Sequence, residues 1–256
     1  MEQLFLNWFL VFVRAGAMLS IFPLFSASAV PVRLRIALAG FISLLVMPTL
    51  GAPPVDPTHE TLLSLTGLLL REVAIGLLMG WLCRLLSFTM ALAGHFIASQ
   101  IGLQLGGMIA PGEEHPTETV GIILQMLAIM LLVTMDMHYA LLIGFQQSYH
   151  VLPVGAGMLS ELLFDDVTLI AGRTFLIAVK IAAPIIAVGI VVNLLLCMLA
   201  RAVPQMNVFM ESFGIRLLIG TMLLGSVFNL AAHEIATHLN QLPSDFINLV
   251  RLLAGG

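Results

Sequence analysis

The stretch from Ala200 to Arg216 reads Ala-Arg-Ala-Val-Pro-Gln-Met-Asn-Val-Phe-Met-Glu-Ser-Phe-Gly-Ile-Arg and lies between two long apolar segments. Pro204 lacks a backbone N–H and disfavours helix at the residue before it, so we expect the first segment to end near Ala202 or Val203. The stretch therefore predicts a tight polar hairpin tip between two membrane-length helices. The residues that define this tip are Arg201, Pro204, Gln205 and Asn207.

The composition of the whole chain is that of a membrane protein. Of 256 residues, 60% are hydrophobic and only 9% are charged, whereas a soluble domain carries roughly 25% charged residues. The formal net charge is −4. The cations are scattered singly and form no basic stripe, which argues against nucleic acid as a partner.

Apolar runs predict an all-α, polytopic integral membrane protein with about six long hydrophobic helices. The second run is short for a span, since about 20 residues are needed to cross ~30 Å of hydrocarbon. The third has 46 residues, so we expect a break near Gly94 or a part that stands outside the lipid. A short amphipathic tail, Pro243 to Leu253, closes the chain. The six runs are Leu4–Phe25, Ile36–Leu50, Glu60–Leu105, Val120–Phe145, Leu169–Leu199 and Leu217–Ala232.

The distribution of cations predicts how the helices are oriented. Cytoplasmic connections of membrane proteins carry an excess of Lys and Arg. Placing both termini outside puts five arginines on the cytoplasmic side and most of the acidic connections on the other. These arginines are Arg33, Arg35, Arg84, Arg201 and Arg216.

Eight ionisable residues lie in or beside the apolar runs. A central Arg, Lys or Asp costs about 2.5–3.5 kcal/mol in lipid, so such residues face protein or water. Two interpretations are open: they form structural ion pairs between helices, or they line a transport path. Arg71 and Glu72 point about 100° apart on a helix, so we expect their partners elsewhere. The predicted buried charges are Arg14, Arg71, Glu72, Asp136, His138 and Lys180, with Arg84 and Glu211 completing the eight.

A loop with three glycines, two prolines and three carboxylates follows the third run, at residues 106–118. Such a segment cannot lie in lipid with its backbone unsatisfied. If it lies at membrane depth, it is packed in protein or occupies an aqueous lumen. The alternative is a plain connector that is exposed to solvent.

The sequence contains no recognisable motif for catalysis or metal binding. His233 and His238 imitate a zinc-protease signature, but their i, i+5 spacing places the rings about 140° apart, and we expect a polar helix end there. Cys83 and Cys197 are predicted to be buried small hydrophobes. We therefore assign no catalytic, cofactor-binding or metal-ligating residue. The pair Gly76 and Gly80 has the spacing of close helix contacts, for which ordinary packing is the simpler interpretation.

With these residues in hand, the sequence resembles the FliR family of flagellar export-apparatus proteins and its injectisome relatives, the flagellar branch more closely. The most specific motif is Ala-Arg-Ala-Val-Pro-Gln-Met-Asn-Val-Phe at residues 200–209. The sequence departs from the family at residues 212–216, Ser-Phe-Gly-Ile-Arg, where a Gly-Phe-Pro sequence is usual. Further matches are Arg14 with Pro23, residues 31–39, Arg71-Glu72 with Gly76 and Gly80, and His138 with Ser148 and residues 152–155.

The resemblance implies a core subunit of the flagellar type III export gate in the bacterial inner membrane, within the flagellar basal body. Residues 1–165 would form a FliP-like part, and residues 166–256 a FliQ-like helical hairpin with its tail. The loop at residues 106–118 would be a plug inside the channel, or a gate loop. Its residues would be Gly106, Gly107, Met108, Pro111, Glu113 and Glu114. Implied partners are FliP and FliQ homologues, FlhB-like and FlhA-like export proteins, membrane lipid and unfolded export substrates. No enzymatic activity or cofactor is implied.

Two other classes of function are alternatives to this one. A stand-alone secondary transporter of a small solute would use Asp136, His138 or Lys180 for coupling. Such folds usually carry internal repeats with matching broken helices, and the two halves of this sequence show no convincing repeat. An intramembrane hydrolase would need a nucleophile–base pair, which the sequence does not offer.

Overall fold

The computed structural model describes residues 2–26, 30–50, 62–103, 116–154, 161–203 and 208–253. These residues form helices and short connections, without a β-strand among them. A 3-10 turn, Met47–Leu50, follows α3 directly. The helices are α1 (Glu2–Ile21), α2 (Pro23–Ser26), α3 (Val32–Val46), α4 (Leu62–Ile101), α5 (Pro116–Thr134), α6 (Met137–Val151), α7 (Glu161–Ala202) and α8 (Val208–Leu253).

Prolines mark several of the helix boundaries. Pro23 and Pro116 are the first residues of α2 and α5, and Pro31 immediately precedes α3. Proline suits these positions because the first N–H groups of a helix have no intrahelical acceptor. At the other end, α7 stops at Ala202, and the Val203 N–H donates to the Leu199 carbonyl at 2.9 Å. The predicted end of this helix before Pro204 is confirmed.

Five helices of the described residues are long and apolar enough to cross a membrane, or six if α5 and α6 form one bent span. This confirms an all-α, polytopic membrane protein. The predicted segment from Val120 to Phe145 is interrupted, because the helix breaks between Thr134 and Met137. Asp136 stands at that break with φ 56°. Aspartate tolerates this left-handed conformation better than most residues do, since its short polar side chain bonds locally.

Of the two alternatives for the third run, a break near Gly94 is excluded, because helix α4 continues through this residue. The predicted bounds of the last helix differ from the structure. Helix α8 begins at Val208 rather than Leu217 and continues through Pro243 to Leu253, so the tail is part of it. Gly214 lies inside the first turns of α8, and glycine keeps the backbone N–H that proline would lack there.

The chain divides into two compact units. Unit 1 contains residues 1–85, 133–170 and 239–256, and unit 2 contains residues 86–132 and 171–238. Unit 1 thus holds α1, α2, α3, α6 and the first part of α4. Unit 2 holds the last part of α4, nearly all of α5, and most of α7 and α8. Each candidate site residue belongs to one of these two units.

Candidate functional site

A buried ion pair joins α1 to α4 inside unit 1. The Arg14 Nε lies 2.5 Å from Glu72 Oε2, and the Arg14 Nη2 donates to Glu72 Oε1 at 3.0 Å. Both side chains have no solvent-accessible surface. The two parallel bonds match the planar guanidinium to the carboxylate, which is the strongest form of such a contact. For Arg14 and Glu72, the structure therefore shows a structural ion pair between helices, which is the first of the two interpretations.

Helix α6 completes the surroundings of the Arg14 guanidinium. Arg14 Nη1 donates to Ser148 Oγ at 3.3 Å and to the Leu152 carbonyl at 3.4 Å. The Tyr149 ring centre lies 4.0 Å from Arg14 Cζ, a cation–π contact that is worth about 2 kcal/mol when desolvated. The charge is therefore held from three helices. We call Arg14, Glu72, Ser148, Tyr149 and Leu152 the arginine cluster.

Close approach of α1 and α4 makes this cluster possible. A Cβ at Gly76 would lie 2.4 Å from the Arg14 carbonyl oxygen, and one at Gly80 would lie 2.6 Å from the Met18 carbonyl oxygen. Any larger residue would have to push backbone against backbone. Gly76 lies one helical turn after Glu72, so the same contact that needs glycine brings the carboxylate to Arg14. Here small residues serve helix packing, as the simpler interpretation had it.

Four other predicted buried charges keep solvent exposure in the described part of the chain. Arg71, Asp136 and Lys180 are exposed, and His138 is half-buried. Lys180 belongs to unit 2 and the other three to unit 1. Arg71 is the sequence neighbour of Glu72, and the 100° step per residue turns its side chain away from the buried face. Glu211 lies in α8, and its side chain is outside the described residues. The three predicted coupling residues of a transporter are therefore not gathered in one site by either unit.

The predicted plug residues, Gly106, Gly107, Met108, Pro111, Glu113 and Glu114, lie outside the described residues. The two helices that flank them are described within unit 2. A Cβ at Gly94 of α4 would lie 2.2 Å from the Gly121 Cα of α5. The Gln125 side-chain amide donates to the Ser87 carbonyl at 3.2 Å. The two stems of the loop are thus in backbone contact.

The hairpin arms α7 and α8 contact the end of α4 in unit 2. A Cβ at Gly189 would lie 2.4 Å from Gln100 Oε1, and one at Gly220 would lie 2.4 Å from Ile101 Cγ1. Gly189 and Gly220 are almost equally distant along the chain from Pro204. The last turn of α4, which precedes residues 106–118, therefore contacts matching positions of both arms. Of the predicted tip, Arg201 is exposed, while Pro204, Gln205 and Asn207 lie outside the described residues.

The described residues contain no group of three or more His, Cys, Asp or Glu side chains that could hold a metal ion. His233 is exposed and His238 is buried, as expected for rings on different faces. They lie within α8 rather than at a helix end, which corrects the prediction for this segment. Cys83 is buried, but Cys197 is exposed, so the prediction of burial is wrong for the second cysteine.

Several of these contacts were not predictable as functional from single residues. Ser148 is among the residues that carry the resemblance, but nothing in the sequence indicates Tyr149 as a partner of Arg14. Gly121, Gly189 and Gly220 are three among 22 glycines. A common signal does exist: each lies in an apolar helix where glycine is otherwise unfavourable by about 1 kcal/mol. A glycine at such a position allows another helix to pack closely, but the sequence does not identify that helix.

Comparison with known proteins covers nearly the whole chain. The model of the bacterial export proteins, family 1, matches residues 5–242. The flagellar biosynthetic protein FliR of Pectobacterium carotovorum subsp. carotovorum is 32% identical over 86% of this chain and 84% of its own length. The FliR of Caulobacter vibrioides is 30% identical over 84% and 85%, and that of Escherichia coli K12 is 28% identical over 97% and 94%. This chain therefore belongs to the bacterial export proteins, family 1.

Proposed function

We propose that this chain is a component of the flagellar protein-export apparatus in the bacterial inner membrane. The observation that carries the proposal is the family match from residue 5 to residue 242, with relatives named FliR aligned over most of their own length. The five or six membrane-length helices of the described residues support a membrane location. No catalytic or cofactor chemistry is part of the proposed role.

The finer proposal is that the chain assembles with FliP and FliQ homologues into a closed pore for unfolded export substrates. FlhB-like and FlhA-like export proteins would be its neighbours. The hairpin arms support an assembled state, because each carries a row of exposed apolar side chains that a protein partner could cover. On α7 these are Leu194, Leu195 and Met198, and on α8 they are Leu218 and Met222.

Within this assembly we propose a division of the chain by resemblance. Residues 1–165 would act as a FliP-like part and residues 166–256 as a FliQ-like hairpin. The hairpin tip, with Arg201, Pro204, Gln205 and Asn207, would serve packing and partner contact. This division is based on likeness to partner proteins. The two compact units are based on packing within the chain, and each unit contains residues of both proposed parts.

We further propose that residues 106–118 close the pore as a plug. Support comes from the stems: Gly94 and Gly121 fix α4 against α5, and Gln100 and Ile101 contact both hairpin arms. The helix ends from which residues 106–118 extend are thus packed against three helices, which suits the position of a closure element. In this proposal Gly106, Gly107, Met108, Pro111, Glu113 and Glu114 occupy the closed lumen.

Deletion of residues 107–114 tests the plug. We expect cells that express this variant with its partner proteins to admit ions or small dyes, because nothing would fill the resting lumen. A matched control deletes eight residues from the proline-rich connector, 52–59, and should leave the membrane tight. Unchanged permeability in the plug deletion, with the complex present in normal amount, would overturn the plug proposal.

Purification in mild detergent tests the assembly separately. An export-gate subunit should come out together with other small hydrophobic proteins, identified by mass spectrometry. Isolation of a monodisperse single chain that moves a small solute after reconstitution would contradict the proposed assembly and favour a stand-alone transporter.

A further inference from the structure

A polar side chain interrupts the uncharged part of α7 in unit 2. No Asp, Glu, Lys or Arg occurs between Lys180 and Arg201, and at 1.5 Å per residue these two cations lie about 32 Å apart along the helix. This length matches the hydrocarbon core of a bilayer, which is about 30 Å thick. Asn193 lies within this stretch, about 20 Å from Lys180 and about 12 Å from Arg201. Its side chain is exposed and has no hydrogen-bond partner among the described residues.

Lipid cannot satisfy the amide group of Asn193. Hydrocarbon offers neither a donor nor an acceptor, and an amide without a hydrogen bond is unfavourable in an apolar environment. In membrane proteins, Asn side chains form hydrogen bonds to a neighbouring helix instead. The side of α7 that carries Asn193 therefore suits a protein neighbour better than lipid.

The residues on this side of α7 have the spacing of a helix–helix contact. They recur at intervals of three and four residues, which is the pattern of a seam between two helices. None of them is buried in the described structure, and the two alanines among them allow a second backbone to approach closely. We call this surface the Asn193 seam, and its residues are Ala183, Ile186, Ile190, Asn193, Cys197 and Ala200.

Positive charge lies at one end of the Asn193 seam. Arg201 follows Cys197 by one helical turn and is exposed, and no acidic residue occurs in the sequence between Asp166 and Glu211. Two copies of this chain would insert with the same orientation, so a contact between their seams would set Arg201 against Arg201. Like charges repel in a contact, whereas a carboxylate at this level would be attracted. The charge therefore favours a different chain with an acidic residue over a second copy.

We propose that the Asn193 seam binds a membrane helix of a different chain of the export apparatus. That helix is apolar and presents a side-chain amide or hydroxyl group to Asn193. It carries an Asp or Glu beside Arg201, about 12 Å further along. The inference rests on the proposed function, because it needs partner proteins, and it adds the surface and the chemistry by which one of them binds.

Photo-cross-linking in intact membranes tests the contact. The full chain is expressed with its partner proteins and carries a photoreactive amino acid at Ile190 or, as the matched control, at Leu195. Leu195 is 61% exposed but lies about 160° from Asn193 around the helix, at nearly the same depth. We expect Ile190 to capture an apolar helix of another chain, whose cross-linked segment contains the amide or hydroxyl side chain and the carboxylate. The same helix should not be captured from Leu195.

Two substitutions test the polar contacts of the seam separately. Asn193→Leu removes the interhelical hydrogen bond, and such a bond in membrane proteins corresponds to about a threefold to 15-fold change in affinity. We expect a loss of this size in the amount of partner retained in mild detergent, with the melting temperature of the isolated chain unchanged. Arg201→Glu should also reduce retention, and replacing the partner's carboxylate by lysine should restore it. Arg173→Glu reverses an exposed cation of α7 away from the seam and should retain the partner like the wild type.

Several results would overturn the inference. These are the absence of an adduct from Ile190 to another chain, equal capture of the same helix from Ile190 and Leu195, a Cys197 disulfide between two copies under oxidation, and unchanged retention in both Asn193→Leu and Arg201→Glu. In each case the partner proteins still co-purify with the wild type, so the proposed function stands. Loss of co-purification in the wild type would instead overturn the proposed function and this inference with it.

Discussion

Replacement of Glu72 by leucine would leave the Arg14 guanidinium buried without a carboxylate. Removing one partner of a buried ion pair costs about 3–5 kcal/mol, since the remaining charge stays desolvated. At roughly 2–4 °C per kcal/mol for a chain of this size, Glu72→Leu should lower the melting temperature by about 6–20 °C. Arg14→Met should destabilise by a similar amount, because it leaves the Glu72 carboxylate alone.

The double variant Arg14→Met with Glu72→Leu should recover most of this loss. Replacing a buried pair by apolar groups is often neutral or favourable. What remains is the Leu152 carbonyl, which loses its donor at a cost of about 1–3 kcal/mol. We therefore expect the double variant to melt within a few degrees of the wild type, above either single variant.

Thermal unfolding in mild detergent measures these differences, with Arg84→Met as the matched control. Arg84 is exposed on the same helix as Glu72, and losing its charge should change stability by no more than about 0.5 kcal/mol. The reasoning fails if Glu72→Leu melts with the wild type, or if the double variant melts as low as the singles. A stable double variant that loses export would instead assign the arginine cluster a role beyond folding.

Three further predictions concern backbone positions. Gly76→Ala should lower stability by about 1–3 kcal/mol, because the added Cβ would clash with the Arg14 carbonyl oxygen. Gly67→Ala has open space around it and should raise stability by about 0.5–1 kcal/mol. The melting temperatures of the two variants test this difference. Gly94→Ala should disturb folding or export more than Gly189→Ala, because it meets the backbone of α5 rather than the end of a glutamine side chain. Equal effects in an export assay would contradict this. Asp136→Gly should be neutral or stabilising by about 1 kcal/mol, because glycine adopts φ 56° without a steric penalty. A large loss of both stability and export in that variant would show that the carboxylate itself is needed.

Composition and periodicity were sufficient for the fold class. A chain with 60% hydrophobic and 9% charged residues cannot remain soluble as single helices, and its apolar runs are as long as a bilayer is thick. The end of α7 at Ala202 was also predictable, because Pro204 acts on its immediate neighbour. These are local effects of covalent geometry and of solvent. They need no knowledge of which helices touch.

Helix breaks were less predictable than helix ends. The chain bends at Asp136, where no proline or glycine stands, and it continues as helix through Gly94, Gly214 and Pro243. Propensity differences of about 1 kcal/mol at glycine are smaller than the packing energy of a membrane-length helix. Tertiary contacts therefore decide which weak positions actually break.

In the arginine cluster, too, the sequence determines one property and the tertiary structure decides another. From the sequence alone, Arg14 and Glu72 were charges that had to find partners, since lipid does not solvate them. Which residues pair depends on how the chain folds over a separation of 58 positions, so that α4 packs against α1 at Gly76. The need for burial and neutralisation at these positions follows from the sequence, because it is a property of each side chain. Only the tertiary structure decided the partners, because a partner is a matter of distance in space.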